Sequence, residues 1–191
     1  MLKSEARAIY LAKRKSISLD EKELLDQAIL AEFKKLDLTT VKCIHIYLPI
    51  IAQNECNTYP IIEFLQKNHP QINIALPKAN FENGQMDAML FNVGTPLVKN
   101  NLGIAEPIDG EIIDPKAIDM IICPLLAFDL KGNRVGYGKG FYDRFLALCK
   151  TDAIKLGLSY FEPIASLADC NEQDFPLSMC ISSSQNYFFG V

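Results

Sequence analysis

Residues 123–146 read Cys-Pro-Leu-Leu-Ala-Phe-Asp-Leu-Lys-Gly-Asn-Arg-Val-Gly-Tyr-Gly-Lys-Gly-Phe-Tyr-Asp-Arg-Phe-Leu. An apolar run from Ile118 to Cys123 leads in as a strand, and a turn is expected at Asp129 to Asn133. Three glycines then alternate at Gly136, Gly138 and Gly140. From Phe141 a helix is expected to run to about Lys150, with Phe141, Phe145, Leu148 and Cys149 on one face. Strand, glycine loop and helix in that order can turn several backbone N–H groups and a helix N-terminus toward one anion, most often a phosphate. Arg134 and Lys139 add positive charge beside the loop, and Asp143 falls in the first helical turn. The spacing fits neither G-x-x-x-x-G-K-S/T nor G-x-G-x-x-G, which disfavours a simple P-loop nucleotidase and a dinucleotide dehydrogenase. Alternating glycines can also be a plain structural bend; the two cations and the helix that follows tilt the reading toward phosphate.

Outward from this stretch, helices alternate with short, nearly continuous apolar strands. Ser4 to Lys15 reads as a helix. Ser18-Leu19-Asp20-Glu21 is a capping box that starts a second, running to about Lys35. Val41 to Leu48 is a strand ended by Pro49, and Thr58 is expected to cap the next helix, with Pro60 in its first turn. Ile72 to Leu76 is a strand ended by Pro77, and Asn83-Gly84 marks a hairpin turn before a returning strand at Met86 to Val93. Pro96 to Pro115 reads as loop-rich, Ile154 to Ser159 as a buried strand, residues 162–178 as irregular and acidic, and Met179 to Ser182 as a last short strand. Runs of this kind favour a layered α/β domain with a largely parallel sheet covered on both faces. Ligands in such folds gather at the carboxyl ends of the strands, which is where the glycine loop leaves.

At 191 residues the chain is expected to be one domain, 1–191, and its 49% hydrophobic and 22% charged composition is that of a soluble globular protein. No apolar run reaches the ~20 residues of a membrane span. Residues 1–15 are charged throughout and hold no apolar signal segment, so the expected location is cytoplasmic. Six cysteines, at 43, 56, 123, 149, 170 and 180, form no C-x-x-C pair and read as reduced, mostly buried thiols. Two histidines are too few for a histidine metal site, and His45 alternates within an apolar strand as a core or sheet-face residue. The net charge is −4, yet Lys3, Arg7, Lys13, Arg14 and Lys15 face Glu5 alone in the first fifteen residues. Residues 129–150 are basic as well. Two basic islands on an acidic chain suggest local anion sites and not a nucleic-acid surface. Lys3 and Arg7 are four apart, so a helix places them on one face.

Asp143 offers either a partner for the helix N-terminus or a hard oxygen ligand for Mg2+ beside bound phosphates, and Asp174 is a candidate second carboxylate. Glu55 and Glu106 read as isolated acids in loops, solvated unless something else engages them. No Ser-His-Asp or Cys-His arrangement stands out. Chemistry on ATP by positioning and charge neutralisation therefore fits better than covalent catalysis.

The run from Phe128 to Leu146, Phe-Asp-x-x-Gly-x-Arg-Val-Gly-Tyr-Gly-Lys-Gly-Phe-Tyr-Asp-Arg-Phe-Leu, strongly resembles the signature of 5-formyltetrahydrofolate cyclo-ligases, also called methenyltetrahydrofolate synthetases. Lys3 and Arg7, Glu55-x-x-Thr58, Leu76-Pro77-Lys78, Gly103-Ile104-x-Glu106-Pro107 and Asp174 match further family positions across nearly the whole chain. Two positions depart: Gln173 stands where the family motif has His, and Ser178 where Asp often follows. The loop before Glu55 is also slightly long. The resemblance implies a three-layer α/β/α domain related to the sugar-phosphate isomerase and CoA-transferase group. It implies an ATP-dependent, ring-forming C–N ligase with Mg2+ as cofactor and ATP as co-substrate. The formyl oxygen of 5-formyltetrahydrofolate attacks the γ-phosphoryl group, N10 closes the ring, and 5,10-methenyltetrahydrofolate, ADP and phosphate leave. Residues then take roles. Lys3, Arg7, Arg134, Gly136, Tyr137, Gly138, Lys139, Gly140, Phe141 and Tyr142 would bind ATP, with Lys139 and Arg134 acting on the transferred group. Leu48, Glu55 and Tyr142 would bind the folate, and Asp143 and Asp174 the metal. Neither nucleic acid nor membrane is an implied partner, and the expected state is a monomer, with a homodimer as the alternative. A non-catalytic sensor of sugar phosphates or nucleotides on the same fold is the competing reading. A sugar-phosphate isomerase would need a proton-transferring acid, for which Glu106 is the only candidate.

Overall fold

The computed structural model describes residues 1–100 and 103–190. Its main sheet contains, among the described residues, eight strands in the order β12-β11-β10-β7-β1-β2-β3-β6. These are β1 (Cys43–Ile46), β2 (Asn73–Ala79), β3 (Met86–Phe91), β6 (Ile112–Ile113), β7 (Met120–Cys123), β10 (Ile154–Ser159), β11 (Met179–Ser182) and β12 (Asn186–Phe188). The central five, β11, β10, β7, β1 and β2, are mutually parallel, and β12, β3 and β6 add antiparallel at the edges. A mixed α/β domain with a mainly parallel sheet is thus what the apolar strands predict.

Successive residues of the central strands go to opposite faces. Ile44, Ile46, Ile74, Leu76, Met120 and Ile122 join Ile29 and Phe33 of α2 (Leu19–Phe33) and Ile61 and Leu65 of α3 (Tyr59–Asn68). Cys43, Ala75, Ile121 and Cys123 join Phe145 and Leu146 of α4 (Phe141–Leu146) on the other side. Both faces are dry, which is why the strands read as continuous apolar runs instead of alternating ones. The first helix, α1 (Lys3–Lys15), does not cover the sheet. Ala6 and Tyr10 pack it on Leu126, Ala127 and Val135 of a small antiparallel hairpin, β8 (Ala127–Phe128) with β9 (Arg134–Val135).

Local chemistry accounts for most boundaries. Ser18 caps α2 by accepting the Glu21 N–H (3.2 Å), and Lys13, Arg14 and Lys15 meet the negative end of α1. The hairpin between β2 and β3 closes with the Asn80 N–H donating to the Gln85 C=O (2.8 Å). Four expectations need correction. Pro77 does not end β2, which runs on to Ala79. The Asn73 amide faces Lys42 beside β1, so the Pro77 nitrogen faces that side too, beyond the last β1 pair at Ala75, where no N–H is required. Thr58 stands at the N-cap position of α3, but its side chain makes no capping bond; its hydroxyl donates to the Tyr47 C=O (2.6 Å) and ties α3 to the end of β1. The stretch 96–115 is not plain loop. It holds the hairpin of β4 (Leu97–Lys99) with β5 (Ala105–Pro107), and β6; residues 101–102 lie outside the described residues. Finally, α4 stops at Leu146, so Leu148 is exposed while Phe145 stays buried. Strands β6 and β12, too short to carry a periodic signal, went unread.

The turn at 129–133 is built around Asp129, which is fully buried. Its carboxylate accepts from the N–H groups of Lys131 (2.9 Å), Asn133 (2.9 Å) and Leu167 (3.0 Å), and from the Asn133 side-chain amide (3.0 Å). Four donors on one carboxylate make up for its lost hydration and set the direction in which the chain leaves for the glycine loop.

Candidate active site

One cavity of about 570 Å3 opens at the carboxyl ends of β1, β2 and β7, where Tyr47, Leu48, Pro77, Ala79 and Pro124 form its floor. All the candidate residues come to it. Lys3 and Arg7 enter from α1, Leu48 and Glu55 from the segment after β1, Arg134 to Asp143 from the glycine loop, and Asp174 from the irregular segment before β11. That a parallel sheet splays its connections at this end is the reason residues so distant in the chain converge.

The glycine loop has the features an anion cradle needs. Between β9 and α4 the amides of residues 136–140 make no hydrogen bond to the protein among the described residues. Gly138 has φ +86°, and a Cβ there would lie 3.1 Å from the Arg7 guanidinium, so any other residue would be strained at this turn and would crowd the cation. Arg7 is pinned there by donating Nε–H to the Gly136 C=O (2.9 Å). The ammonium of Lys139 sits 5.8 Å from the Phe81 ring centroid, with no acidic partner in bridging range among the described residues. Phe81 in turn meets Phe141 edge to face. Arg144 joins the two walls, donating to the C=O groups of Gly84 and Lys139 (2.9 Å each). Helix α4 has six residues, so a helix N-terminus adds little here, and the positive field comes from side chains and loop amides.

Arg134 and Lys3 are not free cations. The Arg134 Nη2 pairs with Asp143 Oδ1 (2.8 Å), its Nη1 donates to the Phe175 C=O (2.6 Å), and Lys3 pairs with Asp174. Burial works against the Asp174 anion, but Lys3 and the Asn171 N–H outweigh it and hold the carboxyl below its usual range. Cations and carboxylates thus alternate along one wall. Asp143 Oδ2 and Asp174 Oδ1 keep no hydrogen bond among the described residues. No three His, Cys, Asp or Glu side chains, among those described, are placed to hold a metal unaided. Two hard oxygen donors beside the glycine loop nevertheless have the chemistry that suits Mg2+, which is commonly held by one or two carboxylates and water.

The opposite wall overturns the reading of Glu55 and Glu106 as solvated loop acids, because both are buried. The Glu106 carboxylate, on β5, accepts the Ala79 N–H (3.2 Å). Glu55 accepts the Ile50 N–H (2.6 Å) at Oε2 and the Tyr137 hydroxyl (2.6 Å) at Oε1. Burial pushes its carboxyl up, against these donors and nearby Arg14, which favour the anion. The extra loop length before Glu55 forms a turn, Ile51–Gln53, closed by Asn54 in the left-handed region (φ 50°). The Asn54 amide donates back to the C=O groups of Arg14 (3.2 Å) and Ile17 (3.3 Å) on the first helix and just beyond it. Tyr142 lies between cavity and core, its ring 5.9 Å from that of fully buried His45, so His45 is the core residue its spacing predicts. All six cysteines are free thiols. The two departures prove local: Gln173 is exposed and outside the cavity lining, and Ser178 Oγ accepts the Lys155 N–H (3.1 Å).

Sequence reading missed Arg14, Gln53 and Phe81. Arg14 follows Arg7 by seven residues and so continues the stripe of Lys3 and Arg7, a signal masked by the Lys13–Lys15 run. Gln53 lines the cavity beside Glu55 with a buried Oε1 that has no partner among the described residues, and nothing in its spacing marks it. Phe81 is carried in by the hairpin.

Known proteins resemble the chain throughout. A 5-formyltetrahydrofolate cyclo-ligase of Mycoplasma genitalium is 31% identical over 161 residues, 83% of this chain and 84% of that one. One of Mus musculus is 28% identical over 184 residues, 91% of this chain and 85% of that one. The NMR structure of Aquifex aeolicus 5,10-methenyltetrahydrofolate synthetase superposes with a TM-score of 0.84 at 30% identity, covering 98% of this chain and 93% of that one. No helix among the described residues is long and apolar enough to cross a membrane. The model of the 5-formyltetrahydrofolate cyclo-ligase family matches residues 2–182, and the chain belongs to that family.

Proposed function

We propose that residues 1–191 act as one catalytic domain in the cytoplasm, monomeric, with MgATP on the glycine-loop wall of the cavity and 5-formyltetrahydrofolate against Glu55. Family membership carries the overall reaction, ATP-dependent cyclisation of 5-formyltetrahydrofolate to 5,10-methenyltetrahydrofolate with release of ADP and phosphate. The observation that supports the placement is the convergence of unpaired loop amides, Lys139 and Arg7 on one wall and buried Glu55 on the other, in a cavity of ligand size. We also propose that the fold is related to the sugar-phosphate isomerase and CoA-transferase group, as the family resemblance implies.

The residues account for each step. Loop amides, Arg7 and Lys139 hold the phosphates and meet the charge that builds on the γ-phosphoryl oxygens. Arg134, fixed between Asp143 and the Phe175 C=O, presents a rigid cation and not a mobile one. The formyl oxygen bonds to the γ-phosphorus as the bond to ADP breaks. The N10 lone pair then bonds to the formyl carbon, the carbon–oxygen bond breaks, and the departing phosphate takes its electrons and the proton that N10 gives up. N10 and the activated formyl carbon belong to the same folate, so the closure is intramolecular and proximity carries much of it. Glu55 offers two acceptor oxygens to N–H groups of the pterin, and the Phe141 and Tyr142 rings offer flat apolar surface. Asp143 and Asp174 would hold Mg2+, which would supply neutralisation of the phosphate charge there.

The test combines protein, MgATP and 5-formyltetrahydrofolate and follows the methenyl chromophore together with ADP. Lys139→Ala is expected to lower turnover about 10²–10³-fold, the range for one preorganised donor, with little change in Tm. Folded protein that forms neither product would overturn the reading.

A further inference from the structure

Tyr137 belongs to the glycine loop by sequence, yet its side chain crosses to the other wall. Its hydroxyl donates to Glu55 Oε1 (2.6 Å) and accepts from Arg14 Nη2. Arg14 is almost wholly buried, and its guanidinium spans three segments that bound the cavity. Nε donates to the Gln53 C=O (2.8 Å) beside Glu55, Nη1 to the Leu125 C=O (3.2 Å) after β7, and Nη2 to Tyr137. The guanidinium also lies 5.5 Å from the Tyr137 ring centroid. Arg14 itself is absent from the cavity lining, so this frame stands behind the site.

We propose that Tyr137, anchored by Arg14, is a positioning residue that couples the nucleotide wall to the folate wall. Seating phosphates on residues 136–140 and presenting Glu55 to the folate are then one event. The proposal rests on the placement of the two ligands given above. Its physical basis is the scarcity of donors around Glu55. The carboxylate is buried, and among the described residues its side chain has two hydrogen bonds, one from the Ile50 N–H and one from Tyr137. A loop position that withdraws the Tyr137 hydroxyl leaves a buried carboxylate oxygen without a donor, which is far more costly than the loss of an exposed hydrogen bond. The converse holds as well. With Glu55 and Arg14 holding the hydroxyl, Gly136 and Gly138 on either side are confined to one approach to the phosphates. By linkage, whatever nucleotide does for folate affinity folate does for nucleotide affinity.

The experiment titrates the full-length protein with 5-formyltetrahydrofolate, with and without saturating Mg2+ and the non-hydrolysable β,γ-imido analogue of ATP. In the wild type the analogue is expected to tighten folate binding at least about fivefold, the lower end of ordinary coupling. In Tyr137→Phe, which keeps the ring and removes the bridging hydroxyl, the ratio is expected to fall below about twofold. Arg14→Lys keeps the charge but not the planar fork, and is expected to lower the ratio as well. If Tyr137→Phe fails to fold, Arg14→Lys carries the same comparison. A wild-type ratio of one overturns the proposal. So does a Tyr137→Phe ratio equal to wild type, or a lowered Tm with the ratio intact, which would mark a purely structural role. Lys139→Ala separates the two layers of the argument. Nucleotide affinity that ignores Lys139→Ala removes the ligand placement and the proposal with it, whereas normal dependence on Lys139 without coupling removes the proposal alone.

Discussion

His45→Leu should flatten the acid limb of this protein's stability curve. His45 lies on β1 with no exposed surface, its ring 4.8 Å from that of Phe145, and neither ring nitrogen has a partner among the described residues. Burial alone pulls its pKa from 6.5 down to about 3. The sign follows from proton uptake. Between those two values the unfolded chain binds a proton that the folded chain refuses, so stability is full above pH 6.5 and drains away as the pH falls toward 3. One pH unit within that window is worth about 1.4 kcal/mol. At pH 4.5, two units below the unfolded pKa, the wild type has lost roughly 3 kcal/mol of its plateau stability through this group. Leu is of similar size and removes both unpaired nitrogens at the expense of ring contacts, so the two proteins should match within about 1 kcal/mol at pH 7.5. Urea unfolding of both proteins at several pH values between 7.5 and 4.5, followed by far-UV circular dichroism, gives the comparison. Carboxylates common to both cancel in the difference. The variant should gain roughly 3 kcal/mol on the wild type across that range. Parallel curves would refute the reasoning, because they would mean that the buried imidazole takes its proton as readily as the unfolded one.

Gly138→Ala places a Cβ 3.1 Å from the Arg7 guanidinium at a φ of +86°. Left-handed strain of about 1–2 kcal/mol should lower Tm by a few degrees, while displacement of Arg7 raises the KM for ATP at least about tenfold; steady-state kinetics that leave KM unchanged would contradict the placement of Arg7 on the phosphates. Asp129→Ala strips four N–H donors of their acceptor in the core, at about 1 kcal/mol or more each, so Tm should fall by about 10 °C or the chain should not fold cooperatively; a calorimetric shift under about 3 °C would show that water replaces the carboxylate.

The legible parts of this protein are the local ones. Parallel strands buried on both faces announce themselves as short apolar runs, Ser18 is visible as a cap, and the glycine spacing at 136–140 is a property of a few consecutive residues. Lys3 and Arg7 could be set on one helical face because the helical period reaches that far. Expectations fail where a residue's partner lies elsewhere in the chain. Pro77 looks like a strand end until the register shows that nothing faces its nitrogen. Thr58 looks like a cap until Tyr47 takes its hydroxyl. Glu55 and Glu106 look like solvated acids because burial is not written in their neighbours.

Sequence by itself determined the fold class, the glycine loop of residues 136–140 with its flanking cations and, by resemblance, the family, since each rests on periodicity or on an ordered local motif. Only the tertiary structure decided that Arg134 and Lys3 spend their charge on Asp143 and Asp174, and that Tyr137 reaches Glu55 across 82 positions of chain. The physical reason is that hydrogen bonds and ion pairs act over a few ångströms of space. The closure of a parallel sheet, and not chain spacing, chooses which residues come within that range.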